Sequence, residues 1–162
     1  MKIGVISDTH IPERAEGIPP EVLEGLKGSD LIIHAGDISQ PQVLEKLKKI
    51  CTDVKAVWGN MDPDDIKARL PQKEIVALNG HKIGVMHGWG HPDSLLRLLS
   101  EEFKDAGLDV IIFGHSHQPF NEYRNGILYF NPGSPTDKIF SPYTSYGILE
   151  INDKIEARIV RL

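Results

Sequence analysis

The chain has 162 residues, of which 40% are hydrophobic, 25% charged and 7% aromatic, an ordinary composition for a globular protein of one domain, expected here over residues 1–162. Acids outnumber bases 23 to 18, a net charge of −5, so there is no polybasic footprint for nucleic acid or a membrane surface. Cys51 stands alone, which excludes an intrachain disulfide framework and a thiolate zinc cluster, and no apolar run has signal or membrane-spanning length; a cytoplasmic protein is expected.

The local patterns alternate between strands and helices. Lys2–Ser7 has the length and apolar content of a buried strand. Pro20–Lys27 reads as a helix, with Val22, Leu23 and Leu26 on one stripe and Gly28 as its stop. Leu31–His34 is a second strand. Ser39, with Gln42 three residues on, has the form of a capping box for a helix whose Val43, Leu44, Leu47 and Ile50 share a face. Val54–Trp58 is a third strand. Glu74–Leu78 and Lys82–His87 then flank Asn79-Gly80, a two-residue hairpin signal. Asp93–Ala106 is helical in period and Val110–Phe113 is another apolar strand. Asn125-Gly126 joins two further strands, and Asn152-Asp153 joins the last two. Parallel βαβ units in the first half and antiparallel pairs in the second predict a mixed α/β fold. Roughly ten strands are many for one small open sheet, so two sheets are expected.

Chemistry gathers at the carboxyl ends of the buried strands. Lys2–Ser7 leads into Asp8-Thr9-His10, Leu31–His34 into Gly36-Asp37, and Val54–Trp58 into Gly59-Asn60. Lys82–Met86 leads into His87-Gly88, and Val110–Phe113 into Gly114-His115-Ser116-His117. That edge is where open α/β folds bind ligands. Two carboxylates, four imidazoles and one amide oxygen form a mixed N/O donor set suited to first-row divalent metals rather than to calcium or structural zinc. Seven donors exceed the needs of one ion that keeps an open position. They fit two ions sharing a carboxylate, the usual device for phosphoester hydrolysis, and two such ions leave a net positive pocket for a phosphodiester anion.

In this order, Asp8-x-His10, Gly36-Asp37, Gly59-Asn60-x-Asp62, His87-Gly88 and Gly114-His115-x-His117 resemble the five motifs of the calcineurin-like metallophosphoesterases. With Asn131-Pro132-Gly133-Ser134 and the small size, the resemblance is to the compact bacterial and archaeal phosphodiesterase branch, and it extends over essentially the whole chain. It implies a four-layer α/β/β/α sandwich with two mixed β-sheets and a dinuclear site. By resemblance Asp8, His10 and His117 hold one ion, Asn60, His87 and His115 the other, and Asp37 bridges; Asp37, Asn60 and His87 are the expected catalytic participants. The nucleophile implied is a bridging hydroxide, acidified from a water pKa of ~15.7 toward neutrality. The cofactors expected are two divalent ions, manganese foremost, with nickel, cobalt, iron, zinc and magnesium open. The partner expected is a small phosphodiester; nucleic acid is disfavoured, no membrane is implied, and a homo-oligomer stays open. A phosphomonoesterase, a nuclease and a non-catalytic scaffold like the retromer subunit of this fold are the rival readings.

One position departs from the wider family. Where many members carry a general-acid histidine after the asparagine, this chain has Met61, and the compact branch often lacks that histidine as well. Other polar residues read more plainly. His34 is expected to pack or to support a ligand, His81 to be solvated and His91 to lie on the surface. Asp62 is expected to cap the turn through Asp65. Trp89 is read equally as cleft wall or packing, Asn131 and Ser134 either as site lining or as shapers of the Pro-Gly turn, and Cys51 as a small buried hydrophobe.

Overall fold

The computed structural model describes residues 1–162. In it ten strands form two five-stranded sheets, the two-sheet α/β arrangement expected. The first sheet runs β10-β9-β1-β2-β3, from Ile155–Arg161, Ser145–Ile151, Lys2–Ile6, Leu31–His34 and Val54–Ala56. The second runs β4-β5-β6-β8-β7, from Lys73–Leu78, His81–Met86, Val110–Ile112, Ile127–Asn131 and Phe120–Arg124. β1, β2 and β3 pair in parallel, and so do β5, β6 and β8. The antiparallel pairs are the hairpins β4–β5, β7–β8 and β9–β10, together with the return of β9 onto β1.

Strand periodicity builds the layers. Successive side chains point to opposite faces, so Ile3 and Val5, Leu31 and Ile33, Val110 and Ile112 enter one cluster between the sheets, where they meet Val85, Leu128, Phe130 and Leu149. Their alternates face outward. Ile6, Ile32 and Ile148 pack under helices α1 (Pro20–Leu26), α2 (Pro41–Lys48) and α3 (Asp64–Lys67) through Val22, Leu26, Val43, Leu47 and Ile66. Met86, Ile111 and Tyr129 pack under α4 (Pro92–Glu102) through Leu95 and Leu99. The result is the expected α/β/β/α sandwich, with each fully buried Leu or Ile contributing roughly 1.5–3 kcal/mol. No helix is long and apolar enough to cross a membrane.

Some local expectations shift. The capping box does not form: Gln40 is the N-cap without a side-chain hydrogen bond, and Pro41 occupies the first helical position. Ser39 instead adopts φ +65° and gives its N–H to Asp62 Oδ1 at 2.7 Å, so it belongs to the loop before the helix. α4 stops at Glu102 rather than Ala106, because the chain loosens into turns that reach Gly107 at φ +61°. The segment read as a turn after Asp62 contains the short α3.

Candidate metal centre

The seven donor residues meet on one edge of the sandwich, with each sheet supplying part. Loops after β1, β2 and β3 bring Asp8 and His10, Asp37, and Asn60. Loops after β5 and β6 bring His87, His115 and His117. Asp8 and Asp37 are 0% and 2% exposed, deep among imidazoles. Ligand atoms of Asp8, His10, Asp37 and His117 all lie within 4.8 Å of one another. Asp8 Oδ1 is 3.1 Å from His87 Nε2 and 3.3 Å from His117 Nε2. Asp37 Oδ1 accepts the Met61 N–H at 2.8 Å, while Oδ2 stands 3.5 Å from His10 Nε2 and 3.4 Å from His87 Nε2. Asn60 Oδ1 and His115 Nδ1 form a second grouping, 3.0 Å apart, at the more open side. The His115 N–H joins the two by donating to both Asp8 oxygens at 3.1 and 3.2 Å.

The backbone is bent to make this edge. Asp8, His10, Asp37, Ser39, His115 and His117 all have φ between +41° and +70°, a region costly for side-chain-bearing residues; the two other such residues are the hairpin asparagines Asn79 and Asn125. A turn closed by Ser116 N–H to Gly114 O at 2.8 Å lets His115 and His117, two apart, both point inward. Two glycines are needed for closeness rather than flexibility. A Cβ on Gly59 would lie 2.1 Å from Asp37 Oδ1, and one on Gly114 would lie 2.7 Å from Asp8 Oδ2.

A shell of hydrogen bonds fixes the donors. Asp62 is buried and accepts the N–H groups of Asp37, Ile38, Ser39 and Gly59 at 2.7–3.1 Å, so it clamps the β2 loop to the β3 loop; the expected cap of its own turn does not form, since α3 has no side-chain cap. Asn131 shapes both segments it was read against. Its Nδ2 donates to Gly114 O at 2.9 Å and its Oδ1 accepts from Gly133 N–H at 2.9 Å. Ser134 Oγ donates to the Asp8 carbonyl at 2.8 Å. Sequence reasoning missed Asp137, which is fully buried and hydrogen-bonded to His117 Nδ1; its only sequence signal is an acid just past a Pro-Gly-Ser turn. His91 caps α4 at the surface, Trp89 lies outside the cleft lining, and His81 is half-buried beside Asp109 rather than free in solvent. Cys51 packs with the outer core of the first sheet.

His34 is buried and supports rather than ligates. Its Nδ1 accepts the Gly36 N–H at 3.2 Å, which leaves Nε2 to donate to Thr9 Oγ1 at 3.1 Å. Burial lowers its pKa to about 3, so it is neutral in the folded chain. An unfolded histidine takes up a proton near pH 6.5, and stability therefore falls as pH drops from 6.5 toward 3, by roughly 1.4 kcal/mol per unit. His34→Gln is expected to lose that slope. Urea unfolding at pH 7 and pH 5 should cost the wild type about 2 kcal/mol more than the variant across the window; parallel losses would contradict this assignment.

The other titrating groups divide by sign. Burial opposes a charge on Asp8, but hydrogen bonds from His117 and His87 outweigh it and hold its pKa well below the ordinary value. For His117 burial works downward too, and the hydrogen bonds to Asp8 and Asp137 overcome it, raising the pKa to about 9. His87 is raised in the same way by Asp8. Burial raises Asp37, with the Asp8 charge adding, and burial lowers His10. Protons thus supply the positive charge that the buried carboxylates demand, in the place where cations would otherwise supply it.

Around these groups lies a cleft of about 680 Å³ whose lining includes His10, Arg14, Asp37, Asn60, Met61, His115, His117 and Phe140. The calcineurin-like phosphoesterase superfamily domain model matches residues 1–154. A relative described as a probable metallophosphoesterase, from Methanocaldococcus jannaschii, is 44% identical across 99% of this chain and 81% of its own length. Vacuolar protein sorting-associated protein 29 of Schizosaccharomyces pombe is 32% identical across 84% of this chain and 73% of its own. A solved archaeal phosphodiesterase superposes with a TM-score of 0.79 at 26% identity, covering all of both chains.

Proposed function

From the premise that the chain belongs to the calcineurin-like phosphoesterase superfamily, we propose that it is a divalent-metal-dependent phosphodiesterase acting on small phosphodiesters at a two-ion site. The observation that carries this reading is Asp37 Oδ2, which stands at 3.5 and 3.4 Å from one imidazole of each donor group, His10 and His87. The donor chemistry fits the group: two buried carboxylates, four imidazoles and an amide oxygen suit divalent manganese, iron, cobalt, nickel or zinc. Asp8, His10 and His117 would hold one ion and Asn60, His87 and His115 the other, with Asp37 shared. Such ions supply Lewis acidity toward phosphoryl oxygens and a hydroxide nucleophile at neutral pH.

The chain's own residues do the rest. Asn60 turns its carbonyl oxygen toward His115 and leaves its amide N–H for a phosphoryl oxygen. The His87 ring is oriented by the contact of Nδ1 with the Gly88 carbonyl at 3.0 Å, which directs Nε2 at the carboxylates. Asp137 does the same for His117. Buried walls below Asp8 and Asp37 keep bulk water on the open side only. Met61 stands at the cleft, 63% exposed, and its thioether donates no proton to a leaving group. Esters with good leaving groups are therefore the favoured substrates.

Two measurements follow. Metal-stripped protein titrated with manganese, nickel, cobalt, zinc and magnesium should gain activity on a bis-aryl phosphodiester exceeding that on the paired aryl monoester. A monoester preference would replace the diesterase reading with a phosphomonoesterase, and metal binding without turnover on either ester would favour a scaffold. Met61→His places a general acid at the cleft and is expected to raise turnover by up to ~10²-fold for poor leaving groups, and little for aryl esters. An equal change across a leaving-group series would refute the role given to that position.

A further inference from the structure

Among the cleft-lining residues Arg14 is the only lysine or arginine. It sits one turn beyond His10, its N–H bonded to the His10 carbonyl at 2.8 Å, so its backbone is tied to the donor cluster. Its guanidinium carbon lies 5.3 Å from the centre of the Phe140 ring. Phe140 is tied to the same cluster by a second route: its N–H donates to Asp137 Oδ1 at 3.2 Å, and its ring meets that of His117 edge-on with centroids 6.3 Å apart.

A comparison within the molecule shows what is unusual. Arg124 lies over Phe120 at the same 5.3 Å, but its fork is engaged by Glu122 at 3.1 Å. Arg14, like Arg161 over Tyr143, has an aromatic platform without any carboxylate or hydrogen-bond acceptor from the protein, but of these three arginines only Arg14 lines the cleft. A guanidinium held by its face keeps its N–H edge free, and that edge matches the paired oxygens of a phosphate. A half-buried cation at the mouth of a cleft lined by Glu13 and Asp37, yet paired with neither, is placed to receive an anion from outside.

We propose that Arg14, braced on Phe140, is the substrate-phosphate clamp of this cleft, taking non-bridging phosphoryl oxygens in a forked hydrogen bond. The identity of the anion rests on the phosphoesterase reading; the presence of an anion subsite does not. Arg14 would then govern binding more than the chemical step, since it gains its partner when substrate docks.

The test uses manganese-loaded protein and inorganic phosphate as the probe, followed by calorimetry, with diester kinetics beside it. Arg14→Gln should weaken phosphate binding roughly tenfold or more and raise KM for the bis-aryl diester by a similar factor with little change in kcat. Manganese affinity should stay that of the wild type. Arg14→Lys, which keeps charge but not the fork, should recover only part of the loss, and Phe140→Leu should weaken phosphate binding several-fold by freeing the guanidinium. Arg161→Gln is the control, because Arg161 also lies over a ring, Tyr143 at 4.8 Å, but outside the cleft. Phosphate bound equally by wild type and Arg14→Gln, or not bound by the wild type at all, overturns the clamp. If the wild type hydrolyses neither ester while Arg14→Gln still weakens phosphate binding, the clamp stands and the diesterase reading falls.

Discussion

Asp37→Asn is expected to lower metal-dependent diester turnover by roughly a thousandfold, the scale on which removing one pre-organised electrostatic group acts, while metal-free protein at pH 7 melts no lower than the wild type. Both halves come from one environment. Asp37 is 2% exposed, and burial, with the Asp8 charge added, raises its pKa. Its folded pKa lies above its unfolded one, so the ionised form present at pH 7 costs stability in the absence of cations, and a neutral amide removes that cost. The Asn carbonyl can still accept the Met61 N–H that Asp37 Oδ1 accepts at 2.8 Å. What is lost is the negative oxygen shared by His10 and His87. Turnover above a tenth of wild type at saturating manganese would remove Asp37 from the centre of the mechanism. A fall in the melting temperature of the stripped protein would show instead that the carboxylate is a structural element.

Asp137→Asn should weaken metal binding by about 10- to 100-fold, although Asp137 lies outside the donor set. Asp137 Oδ1 accepts the N–H groups of Ile139 and Phe140 at 2.8 and 3.2 Å, and an Asn carbonyl can keep both. Oδ2 accepts from His117 Nδ1, so that Nε2, which gives its proton to Asp8 in the metal-free protein, is the nitrogen a cation would claim. An amide N–H in that place donates to Nδ1 instead, which moves the imidazole proton to Nε2, the face that must bind a cation. Calorimetric titration with manganese checks this, and circular dichroism of the metal-free variant should match the wild type. Unchanged affinity would mean that His117 takes no part in holding the ion.

The sequence made the architecture legible because buried strands announce themselves by composition and the asparagine–glycine hairpins by φ-positive turn chemistry, as at Asn79 and Asn125. The seven donors were visible for a related reason: each lies within a few residues of the carboxyl end of an apolar run. The supporting residues were harder to see. Asp62 grips amides 23 to 25 residues away, and Asp137 meets His117 across 20 residues. Nothing in local periodicity encodes a contact across that span. Ser39 misled because a serine three residues before a glutamine has the form of a cap, while the proline at position 41 and the distant Asp62 decide the outcome. Arg14 carried no signal at all, since a lone arginine in a polar loop resembles any surface charge until Phe140 is brought beneath it.

The order of strands in the first sheet bears on when the cleft can exist. β1 pairs on one side with β2, which follows closely, and on the other with β9, whose residues lie well over a hundred positions downstream. The loop before β9 also anchors the turn after β1, through Ser134 and Thr136 to the Asp8 and Thr9 carbonyls at 2.8 Å each. During synthesis, then, Asp37 can be fastened early by Met61 and Asp62, but the turn that carries Asp8 lacks its anchors until the segment from Ser134 to Ile151 has been made and folded back. Such long-range closure is slow compared with forming local helices and hairpins. A nascent or truncated chain ending before β9 would expose an open edge on β1 and leave the Asp8 turn without its two anchors, so the full donor set is fastened only late in the folding of the chain.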